Sequence, residues 1–274
     1  THKSCAHYFG NNEQIYHFNI LNKFSLALPK AKVWHSTHQD SNYFPYRHNT
    51  KVIHTIHDLN YIHQRSGNKN KVNRYLSMLQ KKIDRSDVIT FISKYTKKDV
   101  SKYLNIRNKK TYVIPNGITL SNLEPQPFPL DLNDKFILSI GKFHSKKNLH
   151  LLVEAMKFIN NATLILAGDN DSAYGREVQS IIDNKKLSRR VLVIGKVSEP
   201  HKKWLIHNCS LLAMPSSHEG FGLPVIEAHS LGVPTIVSKL SALPETAGPD
   251  SFYFSELSPK EMANDINMYS DITT

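Results

Sequence analysis

An α/β protein with two parallel-sheet domains is the fold that the sequence predicts, and three observations support it. Short runs of aliphatic and β-branched residues alternate with helical patterns from about residue 50 to residue 255, as in βαβ units. Prolines and a lack of hydrophobic periodicity mark residues 121–134 as a linker. The charge balance changes at the same place, because residues 1–130 hold 20 basic and 7 acidic side chains (+13) and residues 131–274 hold 15 and 16 (−1).

The first half contains few predicted elements. Strands are predicted at Val52–Thr55, Val88–Ile92 and Tyr112–Ile114, and helices over residues 70–84 and 94–104. Three or four strands are few for a doubly wound domain, which usually has about six. We therefore expect an N-terminal domain over residues 1–124 whose beginning is truncated.

The second half alternates more regularly. Strands are predicted at Phe136–Ile140, Thr163–Ala167, Val191–Ile194, Leu211–Met214 and Thr235–Val237. Helices are predicted over residues 147–159, 173–185, 199–207, 224–231 and 259–269. These elements predict a second domain over residues 131–258, followed by a terminal helical segment, 259–274, that packs back toward the first domain.

Composition excludes several classes of protein. The chain is long enough to bury a full core, and its apolar runs are far shorter than a membrane span. Two cysteines, Cys5 and Cys209, lie far apart in sequence, which favours a reducing cytoplasm over a secreted disulfide framework. Basic residues are dense from Lys69 to Lys110, a pattern that suits an anionic membrane surface or a nucleic acid, although a solvated helix face is the simpler reading for any single lysine.

The strongest local signal is the segment 217–228, Ser-His-Glu-Gly-Phe-Gly-Leu-Pro-Val-Ile-Glu-Ala, which follows an apolar strand and opens a helix. Gly220 and Gly222 let the backbone approach a ligand, and Pro224 suits the first turn of a helix whose free N–H groups can face an anion. Glu219 and Glu227 would be repelled by a phosphate, but they can accept hydrogen bonds from sugar hydroxyls. The pattern predicts a diphosphate site with a sugar at one end and a ribose at the other.

This pattern, Glu219 followed by seven residues and Glu227, resembles the acidic motif of glycosyltransferase family 4, and segments 232–238 and 243–245 resemble its continuation. Segment 138–149 resembles the first motif of that family's donor domain, in which two cations clamp the donor diphosphate. Lys142 and Lys147 occupy the matching positions. The family usually has Arg where Lys142 stands, so the charge is kept and the bidentate fork is lost.

In the first half, segment 52–59 resembles the family's strand-end motif, whose histidine lies in the cleft beside the transferred sugar. His57 is the matching residue, whereas His54 lies deeper in the strand and is expected to pack. Segments 92–96 and 113–118 also resemble the family. Its first strand and glycine-rich loop have no counterpart here, which agrees with a truncated beginning.

The resemblance implies the GT-B fold, in which two Rossmann-like domains face a cleft, and a retaining hexosyltransferase that needs neither a metal ion nor another cofactor. His57 and Glu219 would be the catalytic residues. The resemblance assigns the following residues to the donor: Gly141, Lys142, Lys147, Gly220, Phe221, Gly222, Leu223 and Glu227. Lys196 and Val197 would lie near the nucleobase.

The same resemblance suggests partners. The donor would be GDP-mannose or a UDP-sugar, and the acceptor a glycan or a lipid-linked sugar in the synthesis of bacterial surface polysaccharide or lipopolysaccharide. The enzyme would be cytoplasmic, with its basic first half docking on the anionic inner face of the membrane.

Two alternatives remain open at the level of sequence. A GT-B relative of other chemistry, such as a sugar-nucleotide epimerase, would share the donor motifs. A nucleic-acid-binding protein on a Rossmann scaffold would explain the basic half, but no reading helix or aromatic–basic platform is visible, and we expect no nucleic-acid partner. We predict no metal site, because the histidines at 35, 38, 54, 57 and 63 lack the Cys or carboxylate spacing of a zinc site.

Overall fold

The computed structural model describes residues 31–46, 49–65, 67–118, 124–129, 136–160 and 162–272. Cys5, the beginning of the predicted first domain and most of the predicted linker lie outside these ranges. Two parallel sheets form within them, one in a first unit (31–118) and one in a second unit (136–272).

The first unit is a four-stranded sheet with strand order β1-β2-β3-β4, all parallel. Its strands are β1 (Val33–Ser36), β2 (Lys51–Ile56), β3 (Val88–Phe91) and β4 (Lys110–Val113). Its helices are α1 (Asn60–Gln64), α2 (Lys69–Arg85) and α3 (Lys94–Tyr103). Alternate residues of β2 are buried, and Ile56 packs with Leu79 and Ile83 of α2 on one face of the sheet.

The second unit is a six-stranded parallel sheet with strand order β10-β9-β8-β5-β6-β7. Its strands are β5 (Phe136–Ile140), β6 (Thr163–Ala167), β7 (Val191–Gly195), β8 (Leu211–Met214), β9 (Thr235–Val237) and β10 (Phe252–Tyr253). Its helices are α4 (Leu149–Ala155), α5 (Ala173–Asn184), α6 (Glu199–Asn208), α7 (Leu223–Ser230), α8 (Leu243–Ala247) and α9 (Pro259–Ile272).

Helices cover both faces of this second sheet. Ile137 packs into a core on one face, and its neighbours Phe136 and Leu138 pack into a separate core on the other. Because both faces are buried, β5 is apolar in nearly every position instead of alternating. The apolar run was therefore a sound predictor of this strand.

The final helix, α9, packs on the second unit. Met262, Ala263 and Ile266 of α9 are fully buried and join the core of the second unit, where the helix packs against α4. Segment 259–272 therefore docks on the second unit, and its expected packing toward the first domain stays a prediction. The physical reason is that these apolar residues, at helical spacing, complete a core that α4 and α5 leave open.

All eight predicted strands are present, and the sequence missed only short elements. Strand β1 has a mostly exposed, four-residue sequence, so it offers no hydrophobic period. The predicted helix over 147–159 is divided into a 3-10 turn (Ser145–Lys147) and α4, because Asn148 between them has a φ of 51°. His54 is fully buried, as expected, and burial is the main cause that lowers its pKa to about 3.

Candidate active site

A cleft of about 460 Å³ lies between the two units, where the carboxyl ends of their parallel strands meet. Ligands bind at this edge in open α/β sheets. The first unit contributes His38, His57, Asp58, Ile92 and Asn116. The second unit contributes Ile140, Gly141, Lys147, Lys202, Met214, Glu219, Gly220, Phe221, Gly222, Leu223, Pro224 and Glu227.

The start of α7 is open toward this cleft. Gly222 has a φ of 107°, which a side chain rarely adopts, and a Cβ there would meet Leu243 at 2.8 Å. No side chain caps the helix, and Pro224 occupies its first turn. The leading N–H groups of α7 are thus available to an anion, as the sequence predicted.

Gly220 brings the two units into close contact. A Cβ at this position would lie 2.3 Å from the backbone oxygen of His57 and 3.1 Å from Cβ of Asp58. The carbonyl of Gly220 accepts hydrogen bonds from the hydroxyls of Ser93 (2.8 Å) and Thr96 (3.3 Å). The Thr96 hydroxyl also lies 3.0 Å from the His57 carbonyl, so its single hydrogen is shared between these two carbonyl oxygens. The segments 92–96 and 52–59 therefore hold the glycine turn directly over His57.

Glu219 forms a buried ion pair inside the cleft. Its Oε1 lies 2.8 Å from Nζ of Lys147, and its Oε2 lies 3.8 Å from Nζ of Lys146. Burial raises the pKa of this carboxyl, but Lys147 and Lys146 outweigh that effect and hold the pKa below its ordinary value. Glu219 is therefore a carboxylate beside an ammonium group.

Gly141 explains how Lys147 reaches this position. Its φ is 143°, and a Cβ there would lie 3.1 Å from Nζ of the lysine. A side chain at 141 would thus crowd the ammonium group. The predicted donor residues Gly141 and Lys147 and the predicted catalytic residue Glu219 thus come together at one point of the cleft.

Glu227 is also paired, with a residue that sequence reasoning missed. Its Oε1 lies 3.0 Å from Nζ of Lys202, which contacts Oε2 of Glu199 at 2.7 Å. Burial lowers the pKa of Lys202, but the hydrogen bonds to Glu199 and Glu227 outweigh it and raise the pKa. Lys202 carries no motif, and only its i,i+3 spacing from Glu199 was visible in the sequence.

Three predicted residues do not line the cleft. Nζ of Lys142 and Nζ of Lys196 lie 3.7 and 3.3 Å from Oδ2 of Asp169, and both lysine side chains are largely exposed. Val197 packs against the core of the second unit. The carboxylate of Asp169 draws both lysines to itself, so a role for Lys142, Lys196 or Val197 at the donor stays a prediction.

His57 lines the cleft at the predicted position. Its Nε2 lies 2.7 Å from the carbonyl of Thr37, and because a carbonyl only accepts, this nitrogen carries the hydrogen. The side chain of Gln39 accepts from its backbone N–H at 2.9 Å. His38, which sequence reasoning did not select for the cleft, places its ring 5.0 Å away.

Among the described residues, no group of three or more His, Cys, Asp or Glu side chains could hold a metal ion. None of the helices in the described part of the chain has the length and apolar composition needed to cross a bilayer.

Two family models match the chain. The model described as Glycosyl transferases group 1 matches residues 121–271, and the model described as Glycosyltransferase Family 4 matches residues 9–122. Together they follow the two units of the structure.

Curated relatives are similar over part of their length. The serotype-specific mannosyltransferase WbdA of Escherichia coli is 26% identical over 187 residues, which are 63% of this chain and 23% of the relative. The O-antigen chain mannosyltransferase RfbU of Salmonella typhimurium is 25% identical over 201 residues, 73% of this chain and 55% of the relative. The chain thus spans between about a quarter and about half of these relatives.

Solved structures share the fold. Sucrose-phosphate synthase from Thermosynechococcus elongatus aligns with a TM-score of 0.73 and 22% identity, covering 83% of this chain and 60% of that one. Anabaena HepE in complex with UDP-glucose aligns with a TM-score of 0.69 and 21% identity, covering 82% and 64%. The predicted arrangement of two Rossmann-like domains facing a cleft is confirmed.

Proposed function

The chain belongs to the group 1 glycosyl transferases, and on that basis we propose that it transfers a sugar from a nucleoside diphosphate sugar to a glycan or a lipid-linked acceptor. The observation that carries the proposal is the pairing of Glu219 with Lys147 beside the uncapped start of α7. This arrangement places an ammonium group, a row of amide donors and a hydroxyl-accepting carboxylate in one cleft.

The leaving group of such a transfer is a nucleoside diphosphate, on which negative charge accumulates as the bond to the sugar breaks. Lys147 and the N–H groups of Phe221, Gly222 and Leu223 would stabilise that charge, because they are fixed before the reaction begins. Lys147 takes the place that a divalent cation has in other transferases, so we expect the reaction to proceed without added metal.

The two glutamates would bind hydroxyl groups. Glu219 has accepting capacity left beyond its contact with Lys147 and would hold the transferred sugar. Glu227, oriented by Lys202, would accept from the ribose. His57 reaches the cleft from the first unit and would contact the sugar and its phosphate.

We propose that the configuration at the anomeric carbon is retained. The acceptor hydroxyl would attack from the side that the diphosphate leaves, and the departing phosphate oxygen would take the hydroxyl proton. The bond from the anomeric carbon to the phosphate oxygen breaks as the new glycosidic bond forms, and no side chain needs to act as a nucleophile.

The relatives support a biosynthetic role. WbdA and RfbU are mannosyltransferases by name, and a Campylobacter jejuni relative, 29% identical over 185 residues, is an N-acetylgalactosaminyltransferase that acts on a diphospho-undecaprenol-linked sugar. We propose GDP-mannose or a UDP-sugar as donor and a polysaccharide or lipopolysaccharide intermediate as acceptor. The family and these relatives favour transfer over epimerisation and over nucleic-acid binding.

We also propose that the enzyme works at the cytoplasmic face of a membrane. The helix α2 contains six basic residues and one acidic residue, Asp84. Four of the basic residues are exposed, Lys69, Lys71, Arg74 and Lys81, whereas Lys82 is buried and Arg85 is partly buried. Such a helix favours an anionic leaflet by additive attraction. A lipid-linked acceptor would be met there.

The proposal is tested by thermal unfolding with a panel of UDP-, GDP- and ADP-sugars, followed by a hydrolysis assay with each sugar nucleotide that stabilises the protein. A ligand present at 100 times its Kd stabilises the native state by about 2.7 kcal/mol, which a melting curve resolves readily. Failure of every nucleotide in the panel to stabilise the protein would overturn the proposal.

A further inference from the structure

A second cavity, of about 240 Å³, lies at the junction of the two units. Its lining comes from α1, from the 3-10 turn before α4, and from the segment before Glu219. The lining residues are Asn60, His63, Gln64, Ser145, Lys146, Ser217 and His218. None of them lines the main cleft, and none belongs to the site proposed above.

Glu219 separates the two cavities. Lys147 reaches its Oε1 from the cleft side, and Lys146 approaches its Oε2 from the side of the second cavity. The peptide of Lys146 is held in place because its carbonyl accepts from the N–H of Ser217 (2.7 Å) and from the Ser217 hydroxyl (3.2 Å). The two consecutive lysines, Lys146 and Lys147, thus line two different cavities.

Lys146 keeps donor capacity for a ligand. Its ammonium group lies 3.8 Å from Glu219, which is longer than a hydrogen bond, and its side chain is only 16% exposed. Burial is the main cause that lowers its pKa, so an additional anion beside it would offset part of the cost of desolvation.

Two histidines form one wall of the cavity, one from each unit. The rings of His63 and His218 stack with centroids 4.7 Å apart. His63 is held by Asp99, whose Oδ2 lies 2.7 Å from its Nε2, and His218 contacts the Ser217 hydroxyl through Nδ1 at 3.1 Å. Because the Ser217 hydroxyl donates to the Lys146 carbonyl, Nδ1 of His218 donates to Ser217. Nε2 of His218 can then donate to an anion once the ring is protonated, which a bound anion favours.

The lining favours an oxyanion over a cation or a neutral apolar ligand. It contains an ammonium group, two imidazoles, two amides and two hydroxyls, and no carboxylate. Donors on several sides of a small cavity suit the terminal oxygens of a phosphate group, which accept several hydrogen bonds at once.

We propose that this cavity binds a phosphate group carried by the acceptor, on the side of Glu219 opposite to the donor diphosphate. The assignment to the acceptor rests on the proposed function, whereas phosphate binding itself does not. Lys146 is then the residue that holds the phosphate, and Lys147 the residue that holds the donor.

The two neighbouring lysines allow a matched test by isothermal titration calorimetry. Inorganic phosphate is titrated into the wild type and into Lys146→Gln, Lys147→Gln and Lys98→Gln; UDP and GDP are titrated separately into each protein. Loss of one charge-assisted contact predicts about tenfold weaker phosphate binding in K146Q, with nucleotide affinity retained. K147Q should show the reverse pattern, and K98Q, which changes an exposed lysine of α3, should bind both ligands as the wild type does.

The results separate this inference from the proposed function. The proposal is overturned if the wild type binds no phosphate at millimolar concentration. It is also overturned if K146Q binds phosphate as tightly as the wild type does. If the wild type binds no nucleotide, the transferase proposal is overturned. The phosphate proposal is then judged only by comparing phosphate binding in the wild type and in K146Q. His218→Asn should also weaken phosphate binding, which guards against a local folding defect in K146Q.

A competition experiment identifies the source of the phosphate. Polyprenyl phosphate in neutral detergent micelles is compared with empty micelles, and glycerol 3-phosphate is tested as a water-soluble ester. Displacement of bound phosphate by the polyprenyl ester indicates a lipid-linked acceptor. Displacement by glycerol phosphate alone indicates a soluble one, and displacement by neither argues against a phosphate monoester ligand.

Discussion

The two halves of the molecule use charge in opposite ways. Residues 1–130 carry a balance of +13, yet the first unit contributes neither Lys nor Arg to the described lining of the cleft. Residues 131–274 are nearly neutral at −1, yet they supply Lys147 and Lys202, the two cations of that lining. Total charge therefore does not locate the proposed donor site.

The difference lies in pairing and burial. Each cleft lysine of the second unit is half-buried and faces a glutamate, Lys147 with Glu219 and Lys202 with Glu227. A buried, paired charge is oriented and poorly screened, so it can act on a ligand, whereas exposed charges mainly set the long-range field. The first unit contributes backbone and hydroxyl contacts that hold the glycine turn in position.

Among the substitutions that test this difference between the units, Gly220→Ala is expected to have the largest effect. The new Cβ would lie 2.3 Å from the His57 carbonyl, so the two units must separate or the turn must move. A displacement of about 1 Å costs on the order of 100-fold in rate, and we expect a loss of that size in kcat/KM for sugar transfer. Gly67→Ala, where a Cβ meets nothing within 4 Å, is the matched control. Near-normal activity in G220A would show that the contact between the units is dispensable.

Comparison of Lys147→Gln with Lys142→Gln sharpens the contrast within the second unit. Lys147 is 14% exposed and paired in the cleft, whereas Lys142 is 71% exposed and lies beside Asp169. We expect nucleotide affinity to fall tenfold or more in K147Q, roughly the loss of one charge-assisted contact, and less than threefold in K142Q. Calorimetry with the nucleotide that binds best measures both, and an equal loss in K142Q would restore the two-cation clamp that the family resemblance implies.

The loss of stability at acidic pH tests whether Glu219 is held in a buried ion pair. Its pKa in the folded protein lies below the ordinary value of 4.5, because Lys147 and Lys146 outweigh burial. The carboxylate therefore stabilises the fold above pH 4.5, and this contribution is lost as the pH falls through the folded pKa. Urea unfolding at a series of pH values should show a shallower acid limb in Glu219→Gln, and an unchanged slope would mean that the pair is not formed.

The smallest effect is expected at the contact between Glu245 and α3. The carboxylate of this exposed residue of the second unit accepts from the N–H groups of Lys94 (2.8 Å) and Tyr95 (3.1 Å) in the first unit. Glu245→Ala should cost about 0.5–1 kcal/mol, the usual size of an acidic contact at a helix start. Urea unfolding of E245A and wild type measures the loss, and added salt should reduce the difference between them because the contact is exposed. A difference that persists in high salt would assign the cost to packing instead.

Sequence reasoning predicted the sheets better than the geometry of the site. The strand Phe136–Ile140 was visible because both of its faces are buried, and Val33–Ser36 was not, because it is short and mostly exposed. The glycine turn at 220–222 was found because turn, helix start and acidic spacing coincide in one short segment. These local signals do not depend on the rest of the fold.

Contacts between segments that lie far apart in the sequence could not be predicted from the sequence. Lys202 meets Glu227 across 25 positions, and His63 meets His218 across the junction of the two units. The direction of Lys142 was also not predictable, because it depends on Asp169, which follows the neighbouring strand β6. A motif gave the position of this lysine in the chain, and only the folded structure gave its partner.

The central claim is that the donor diphosphate lies between Lys147 and the start of α7. A crystal structure of the protein with the sugar nucleotide that binds best is its most direct test. We predict phosphate oxygens within hydrogen-bond distance of Nζ of Lys147 and of the N–H groups of residues 221–223. A nucleotide bound with its phosphates away from both groups, on Lys142 and Lys196 for example, would contradict it.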